Sequence, residues 1–284
     1  VTHPLQQRLA DPDPAVRRSA CEAAAHDPSA VLWIDALGEM LGDPDKRVAR
    51  AASDALAAIG RRAPEVGALL RRALHGDDPD RRREAAFTLA RLEPPGERLL
   101  PALIEALGHP QGDVRWTAAR LLVDAGRLGA PVLPLLLDLA RHDAPPLVRR
   151  MALYGLRELA PDRPEAAAAL LAASGDGDVA LRRAALTALA AVEAPPPAVL
   201  DRLAAVLASD PDPASCRIAA AALAEIGAAR TGGLPAPAMA ALQQAERAAP
   251  DPGLRAAAAR SLARLASGSR SAAAGEGPPR REPS

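Results

Sequence analysis

Aromatic side chains are almost missing from this 284-residue chain, which holds only Trp33, Phe87, Trp116 and Tyr154. A single core built around large rings is therefore excluded, and whatever is buried must be small and regularly spaced. Asparagine is absent, and all but one of the 35 basic residues are arginine, the exception being Lys46. That one-sided usage reads as the codon bias of a GC-rich genome and carries no function. Cysteine is limited to Cys21 and Cys216. Their separation fits neither a short disulfide loop nor a metal-binding spacing, so both read as free thiols of an intracellular protein. Net charge is also missing, with 35 acidic residues against the 35 basic ones, which removes the global argument for a nucleic-acid or membrane-surface protein. No apolar run approaches bilayer length, and Val1 to Ala10, with His3, Gln6, Gln7 and Arg8, holds no signal core. The expectation is a cytoplasmic monomer without membrane contact.

What the chain does have is alanine (71 residues), proline (29) and a 49% apolar content, enough for a folded protein. These residues recur with a period. Taking the residue that opens the second helix of each copy as an anchor gives Val16, Val48, Arg81, Val114, Val148, Leu181, Ser215 and Leu254. The steps are 32, 33, 33, 34, 33, 34 and 39 residues, and a period of this size signals stacked repeats. Four residues after each anchor stand Ala20, Ala52, Ala85, Ala118, Ala152, Ala185, Ala219 and Ala258; eight after it stand Ala24, Leu56, Leu89, Leu122, Leu156, Leu189, Leu223 and Leu262. Offsets 0, 4, 8 and 11 share one side of a 3.6-residue helix, so this is a buried stripe, with an alanine at its centre that admits a neighbouring helix closely.

A turn rich in Asp and Pro precedes each such helix, as in Asp11-Pro12-Asp13-Pro14 and Asp210-Pro211-Asp212-Pro213. It ends one helix and caps the next. Before it lies another apolar helix, such as Leu99 to Leu107 or Val132 to Ala140, usually entered through proline (Pro28, Pro64, Pro131, Pro164, Pro197, Pro237), which costs little in a first turn. The repeat is helix, tight turn, helix, short linker.

In these features the chain resembles the HEAT-repeat family, in particular the short bacterial repeats also seen in phycobilin lyases. The likeness is clearest in Asp43-Pro44-Asp45-Lys46-Arg47-Val48 followed by Ala52, Ala55, Leu56, Ile59 and Gly60, and it recurs across residues 1–266. It implies an all-α fold, a right-handed α-solenoid of about eight helical hairpins. The first copy departs from the pattern, with Ala24 and Asp27 where Leu and Ile are expected, and Thr231-Gly232-Gly233-Leu234-Pro235 delays the last. From Ser267 to Ser284 the period gives way to Gly, Ser, Pro and Arg, read as a disordered tail.

Arginine also recurs. At plus one from the anchor stand Arg17, Arg82, Arg115, Arg149, Arg182 and Arg255. The resemblance implies that they tie copies together through Asp11, Asp43, Asp143, Asp176 and Asp210. At plus two stand Arg18, Arg50, Arg83, Arg150, Arg183 and Arg217, with Trp116 in the fourth copy. This position lies about 200° from the anchor and faces away from the buried stripe. Phe87 and Tyr154, at plus six, fall at about 240°, and Arg120 shares that side of its helix. Aromatic and arginine side chains together dominate binding hot spots. Arg83, Phe87, Trp116, Arg120, Arg150, Tyr154 and Arg183 are thus the candidate contacts for a protein partner on the concave, second-helix face. Solvated arginines and aromatics packed between repeats are the competing explanation.

His75, His109 and His142 recur near the ends of first helices. Repeats about 10 Å apart do not converge on one metal whose ligands lie ~2 Å from it, so helix capping is the better reading, and no metal or cofactor is expected. The His-Glu pairs of HEAT-type di-iron hydroxylases are absent, as are phosphate-loop, Cys-x-x-Cys and Gly-x-Ser-x-Gly motifs. The functional expectation is a non-catalytic scaffold or adaptor. The alternatives are a phycobilin-lyase-like chromophore lyase subunit and a nucleic-acid binder using the arginine stripe.

Overall fold

The computed structural model describes residues 4–141, 143–192, 194–230 and 232–275. Among them the regular structure is all helical, without a strand. The chain divides into two compact units, Val1–Val132 and Leu133–Ser284. The N-terminal unit holds α1 (Pro4–Leu9), α2 (Pro14–Ala24), α3 (Ile34–Glu39), α4 (Lys46–Gly60), α5 (Glu65–Ala73), α6 (Pro79–Leu89), α7 (Leu100–Ala106) and α8 (Gly112–Arg127). The C-terminal unit holds α9 (Val132–Leu139), which begins at the boundary, then α10 (Pro146–Leu159), α11 (Pro164–Ala173), α12 (Val179–Leu189), α13 (Pro197–Ser209), α14 (Pro213–Ala229), α15 (Ala236–Ala248) and α16 (Pro252–Gly275). Odd and even helices pair as the hairpins that the period predicts, from α1–α2 to α7–α8 in the first unit and from α11–α12 to α15–α16 in the second, and Gly155 of α10 lies against Leu136 of α9. Even helices stack on one another, α2 on α4 on α6 in the first unit and α10, α12, α14 and α16 in the second.

The turns explain where the even helices begin. Asp13, Asp45, Asp78, Asp178, Asp212 and Asp251 each stand three residues before an anchor. Each side chain accepts a backbone N–H of the first helical turn, from Ala15, Arg47, Asp80, Leu181, Ser215 and Leu254 respectively. These are N-caps, satisfying donors that the helix cannot satisfy itself. Pro14, Pro79, Pro213 and Pro252 follow directly, at the one helical position where a missing N–H is harmless.

Packing follows the stripe. The eight alanines at plus four are all fully buried, and so are Ala24 and the leucines at plus eight from Leu56 to Leu223. Leu262, in the last repeat, is only partly covered. The odd helices supply a second series, Leu37, Leu70, Leu103, Leu136, Leu170, Leu203 and Leu242, which is also buried throughout. At the exits of α4 and α14 the backbone comes close to a neighbour. A Cβ on Gly60 would lie 2.6 Å from Leu92 Cδ1, and one on Gly227 would lie 2.7 Å from Leu234 Cγ. The inserted linker turns on Gly232 and Gly233, at φ +101° and +70°, a region that favours glycine.

Three details differ from the expectation. The first helix of repeat two is broken into the 3-10 turn Pro28–Trp33, α3, and the 3-10 turn Met40–Gly42. Asp27, at a position where the pattern calls for Ile, caps the first of these turns by accepting Ser29 N–H at 2.8 Å, so a polar residue there starts structure rather than filling core. The last helix continues to Gly275, nine residues into the segment expected as a tail, where Ala272 to Ala274 restore helix-favouring residues after Ser267-Gly268-Ser269; residues 276–284 lie outside the described residues.

Because Ala152 is fully enclosed, Ala152→Leu overfills the stripe and lowers unfolding free energy by about 1–3 kcal/mol. Ala256→Leu, at an exposed position of α16, changes it by less than about 0.5 kcal/mol. Chemical denaturation of the two variants checks the contrast.

Candidate functional site

Arginines at plus one do two things at once. Five of the six reach back across their own turn to the carbonyls six and five residues earlier, while Arg149 donates instead to Ala140, nine residues earlier, at 3.4 Å. Arg17 donates to Asp11 and Pro12, Arg82 to Gly76 and Asp77, Arg115 to His109 and Pro110, Arg182 to Asp176 and Gly177, and Arg255 to Ala249 and Pro250, over 2.6–3.2 Å. Several also reach forward to an acid of the next hairpin: Arg17 to Asp43 at 2.7 Å, Arg149 to Asp176 at 2.8 Å and Arg182 to Asp210 at 3.2 Å. Asp43, Asp176 and Asp210 each accept the N–H two residues on as well, at 2.9 Å. One carboxylate thus shapes its own turn and receives the preceding repeat's guanidinium.

Of the five aspartates that the resemblance assigns to this ladder, these three occupy it. Asp11 serves only its turn, accepting Asp13 N–H at 2.9 Å, and Asp143 is exposed and makes no ion pair among the described residues. Where the acid is missing, others substitute. Arg82 takes Glu105 at 2.9 Å, and between repeats two and three, where plus one is Ala49, the direction reverses and Arg81 reaches back to Glu39 at 2.8 Å.

At plus two the arginines are more engaged than an open binding stripe requires. Arg183 meets Asp212 at 2.6 Å and Arg217 meets Asp251 at 2.7 Å, each the N-cap of the following even helix. Arg18 pairs with Glu22 at 3.3 Å within α2, and Arg50 crosses to Asp113 of α8 at 3.2 Å. Arg83, with its side chain only 14% exposed, is bonded to Asp80 and to Glu84. Burial pushes the Glu84 carboxyl above its ordinary range, against the opposing pull of Arg83 and Arg50. Arg183 and Ser215 hold Asp212 well below the usual carboxylate range.

The aromatics separate. Phe87 on α6 and Tyr154 on α10 are half-buried, and the Arg157 guanidinium lies 5.3 Å from the Tyr154 ring centre. Trp116 on α8 is 46% exposed. Arg120, one turn further along the same helix face, is exposed and makes no ion pair among the described residues. Arg150 on α10 is partly exposed, also without an ion pair there. Four of the seven candidates, Arg83, Phe87, Trp116 and Arg120, therefore belong to the N-terminal unit, and Arg150, Tyr154 and Arg183 to the C-terminal one.

His109 does not behave as the cationic cap expected of it. His109 stands where other repeats carry the turn aspartate, and its Nδ1 accepts Gln111 N–H at 3.1 Å. Burial and Arg83 push its pKa below the ordinary range, in keeping with an acceptor rather than a charged donor. His75 is exposed, and His142 lies outside the described residues. Among the described residues no group of His, Cys, Asp and Glu could hold a metal ion, and no helix is long and apolar enough to cross a membrane. Cys21 and Cys216 are free and buried. Burial raises the Cys21 thiol to about 12 and moves Cys216 the same way, so neither is a thiolate near neutrality.

Sequence reasoning missed Glu39, Glu105 and His109 as substitutes in the ladder, although each is visible as a gap at the expected Asp position. It also missed that the plus-two arginines reach acids, which lie on the same helix for Arg18 and Arg83 and on other elements for Arg50, Arg183 and Arg217.

Two tests follow. Arg149 and Asp176 are nearly enclosed, with side chains 6% and 9% exposed. Arg149→Ala removes the cation of a nearly enclosed pair and costs about 3–5 kcal/mol in unfolding free energy, whereas Arg72→Ala, from a pair with both partners largely in solvent, changes little. For His109, the folded-state pKa lies below the unfolded one, so the unfolded chain binds the proton first. Its contribution is complete above ~6.5 and is lost as pH falls through the folded value. His109→Asn retains an acceptor that does not titrate. Urea midpoints measured between pH 7.5 and 5 therefore fall more steeply for the wild type than for this variant.

A family model for HEAT repeats matches residues 2–90, 68–157 and 133–225. No curated protein matches the sequence. Among solved structures, Kap121p aligns with a TM-score of 0.65 at 14% identity, over 92% of this chain and 33% of its own. Importin beta aligns with 0.60 at 18%, over 93% and 41%. The chain thus spans about a third to two fifths of the length of these two proteins. YIBA_ECOLI aligns with 0.57 at 17% and agrees in length, 92% of this chain against 91% of that one. At these identities the likeness is one of fold. With hairpins in register through both units and the family model covering most of the chain, the chain belongs to the HEAT-repeat family.

Proposed function

We propose that this chain is a non-catalytic scaffold, acting as a cytoplasmic monomer, that binds a protein partner through the second-helix face of its N-terminal unit, centred on Trp116 and Arg120 of α8. The observation that carries the reading is a contrast within one register. At plus two, five of the six arginines are tied to acids, whereas the fourth repeat presents a large aromatic ring with nearly half its surface exposed. A tryptophan and an arginine one turn apart offer wide apolar contact and a forked donor at small entropy cost. Phe87 on α6 of the same unit is a further candidate contact. The family supports the reading at the coarse level, since stacked helical repeats present extended binding surfaces. The same ion pairs weigh against a duplex-binding role, because an arginine held by a carboxylate is a poorer phosphate ligand than a free one.

Affinity capture from the source cell with wild-type, Trp116→Ala and Arg120→Glu proteins is the test. Trp116→Ala weakens the principal partner by about 2 kcal/mol, the size of a hot spot, with helicity and melting nearly unchanged. A loss of stability without a specific loss of partner assigns Trp116 to packing instead.

A further inference from the structure

Two rungs of the ladder lack both members: at Ala49 and Gly76 the Arg81–Glu39 pair stands in, whereas the other has no substitute pair among the described residues. Between repeats seven and eight, Cys216 stands at plus one in place of arginine, and Ala249 stands where the forward aspartate belongs. A cavity of about 840 Å³ opens there, within the C-terminal unit, between the α13–α14 and α15–α16 hairpins. Leu207 and Leu254 contribute apolar wall, and Asp210, Pro211, Cys216 and Asp251 line the turn side, with no lysine, arginine or histidine in the lining.

The acceptors that a guanidinium would occupy are still in place. In five of the six arginine-bearing repeats the carbonyls six and five residues back both receive the side chain. In repeat seven the Cys216 thiol reaches only the first, Asp210, at 3.4 Å, and no donor among the described residues meets the second, Pro211. Asp251 is the other open group. Arg217 Nη1 and Leu254 N–H both bond its Oδ2, at 2.7 and 2.8 Å, which leaves Oδ1 with free lone pairs. Asp210 is less available, since both of its oxygens already take Arg182.

We propose that this cavity binds the arginine side chain of a partner polypeptide, which supplies the missing rung from outside. The alkyl stem packs on the leucine, alanine and proline wall, and the planar fork meets the Pro211 carbonyl and Asp251 Oδ1, the kind of geometry in which arginine outperforms lysine. The site uses neither Trp116 nor Arg120, so it stands or falls independently of the proposed scaffold face.

The experiment titrates the full chain with acetyl-Ala-Arg-Ala-amide and with its citrulline counterpart, which has the same shape without the charge, following binding by calorimetry and by protection of Cys216 from a thiol reagent in a Cys21→Ser background. Saturable binding of the arginine peptide, at least tenfold weaker binding of the citrulline peptide, and slower Cys216 modification are expected. Cys216→Arg fills the site from within and reduces peptide affinity at least tenfold. Asp251→Asn, which retains a capping oxygen, reduces it several-fold, and Cys216→Ala leaves it within about twofold. Equal binding of the two peptides, no saturable binding, or full affinity in a folded Cys216→Arg protein overturns the proposal. If Cys216→Arg does not fold, the citrulline comparison and Asp251→Asn decide it.

Discussion

The arginine found one residue past six of the eight anchors makes the interaction on which the rest depends. A tight turn between two helices leaves backbone carbonyls with no helical partner, and a stack of alanine-centred hairpins buries too little large side chain to fix its own register. One guanidinium addresses both problems, closing its own turn and reaching the acid of the next hairpin. Arginine suits this role where lysine does not, because five donors in a rigid plane serve two carbonyls and a carboxylate together. The fully buried plus-four alanines are the complement. They allow even helices to come close enough for an arginine on one repeat to touch an acid on the next.

This economy of charge shapes the surface as well. A chain with equal numbers of acids and bases spends many of them in pairs between hairpins, and the plus-two arginines that look like an open stripe are mostly held by acids, Arg183 and Arg217 by the N-cap of the next even helix. The exposed chemistry then concentrates where the pattern breaks. Trp116 replaces a plus-two arginine, Cys216 replaces a plus-one arginine, and Ala249 replaces the acid that would face it. In a repeat protein a departure from register is informative because the neighbouring copies show what the position ordinarily does.

Much of the fold was legible in the sequence for the same reason. Alanine at plus four in all eight copies, leucine at plus eight and the Asp-Pro turns determine hairpin number, the start of six of the eight even helices and most of the core. Repeat two's broken first helix was not legible, since neither periodicity nor proline position distinguishes a 3-10 segment from an α-helical one. The continuation of α16 through Gly275 escaped because Ser and Gly at Ser267, Gly268 and Ser269 read locally as linker. For the candidate contacts, position on the helix gave the correct outward side for Trp116 and Arg120 but not the neutralisation of Arg83 and Arg183. That depends on which acids lie across the hairpin, a tertiary fact that a single helix does not contain.

A double-mutant cycle on Arg182 and Asp210 tests most directly whether the inter-repeat rung holds the stack together. Unfolding free energies of Arg182→Ala, Asp210→Ala and the double variant separate the pair from the turn bonds that each residue also makes. The account predicts a favourable coupling of about 1–3 kcal/mol, the range for contacting residues in one network. Additive effects, with coupling below about 0.5 kcal/mol, would show that each residue serves its own turn alone and that alanine packing sets the register without help.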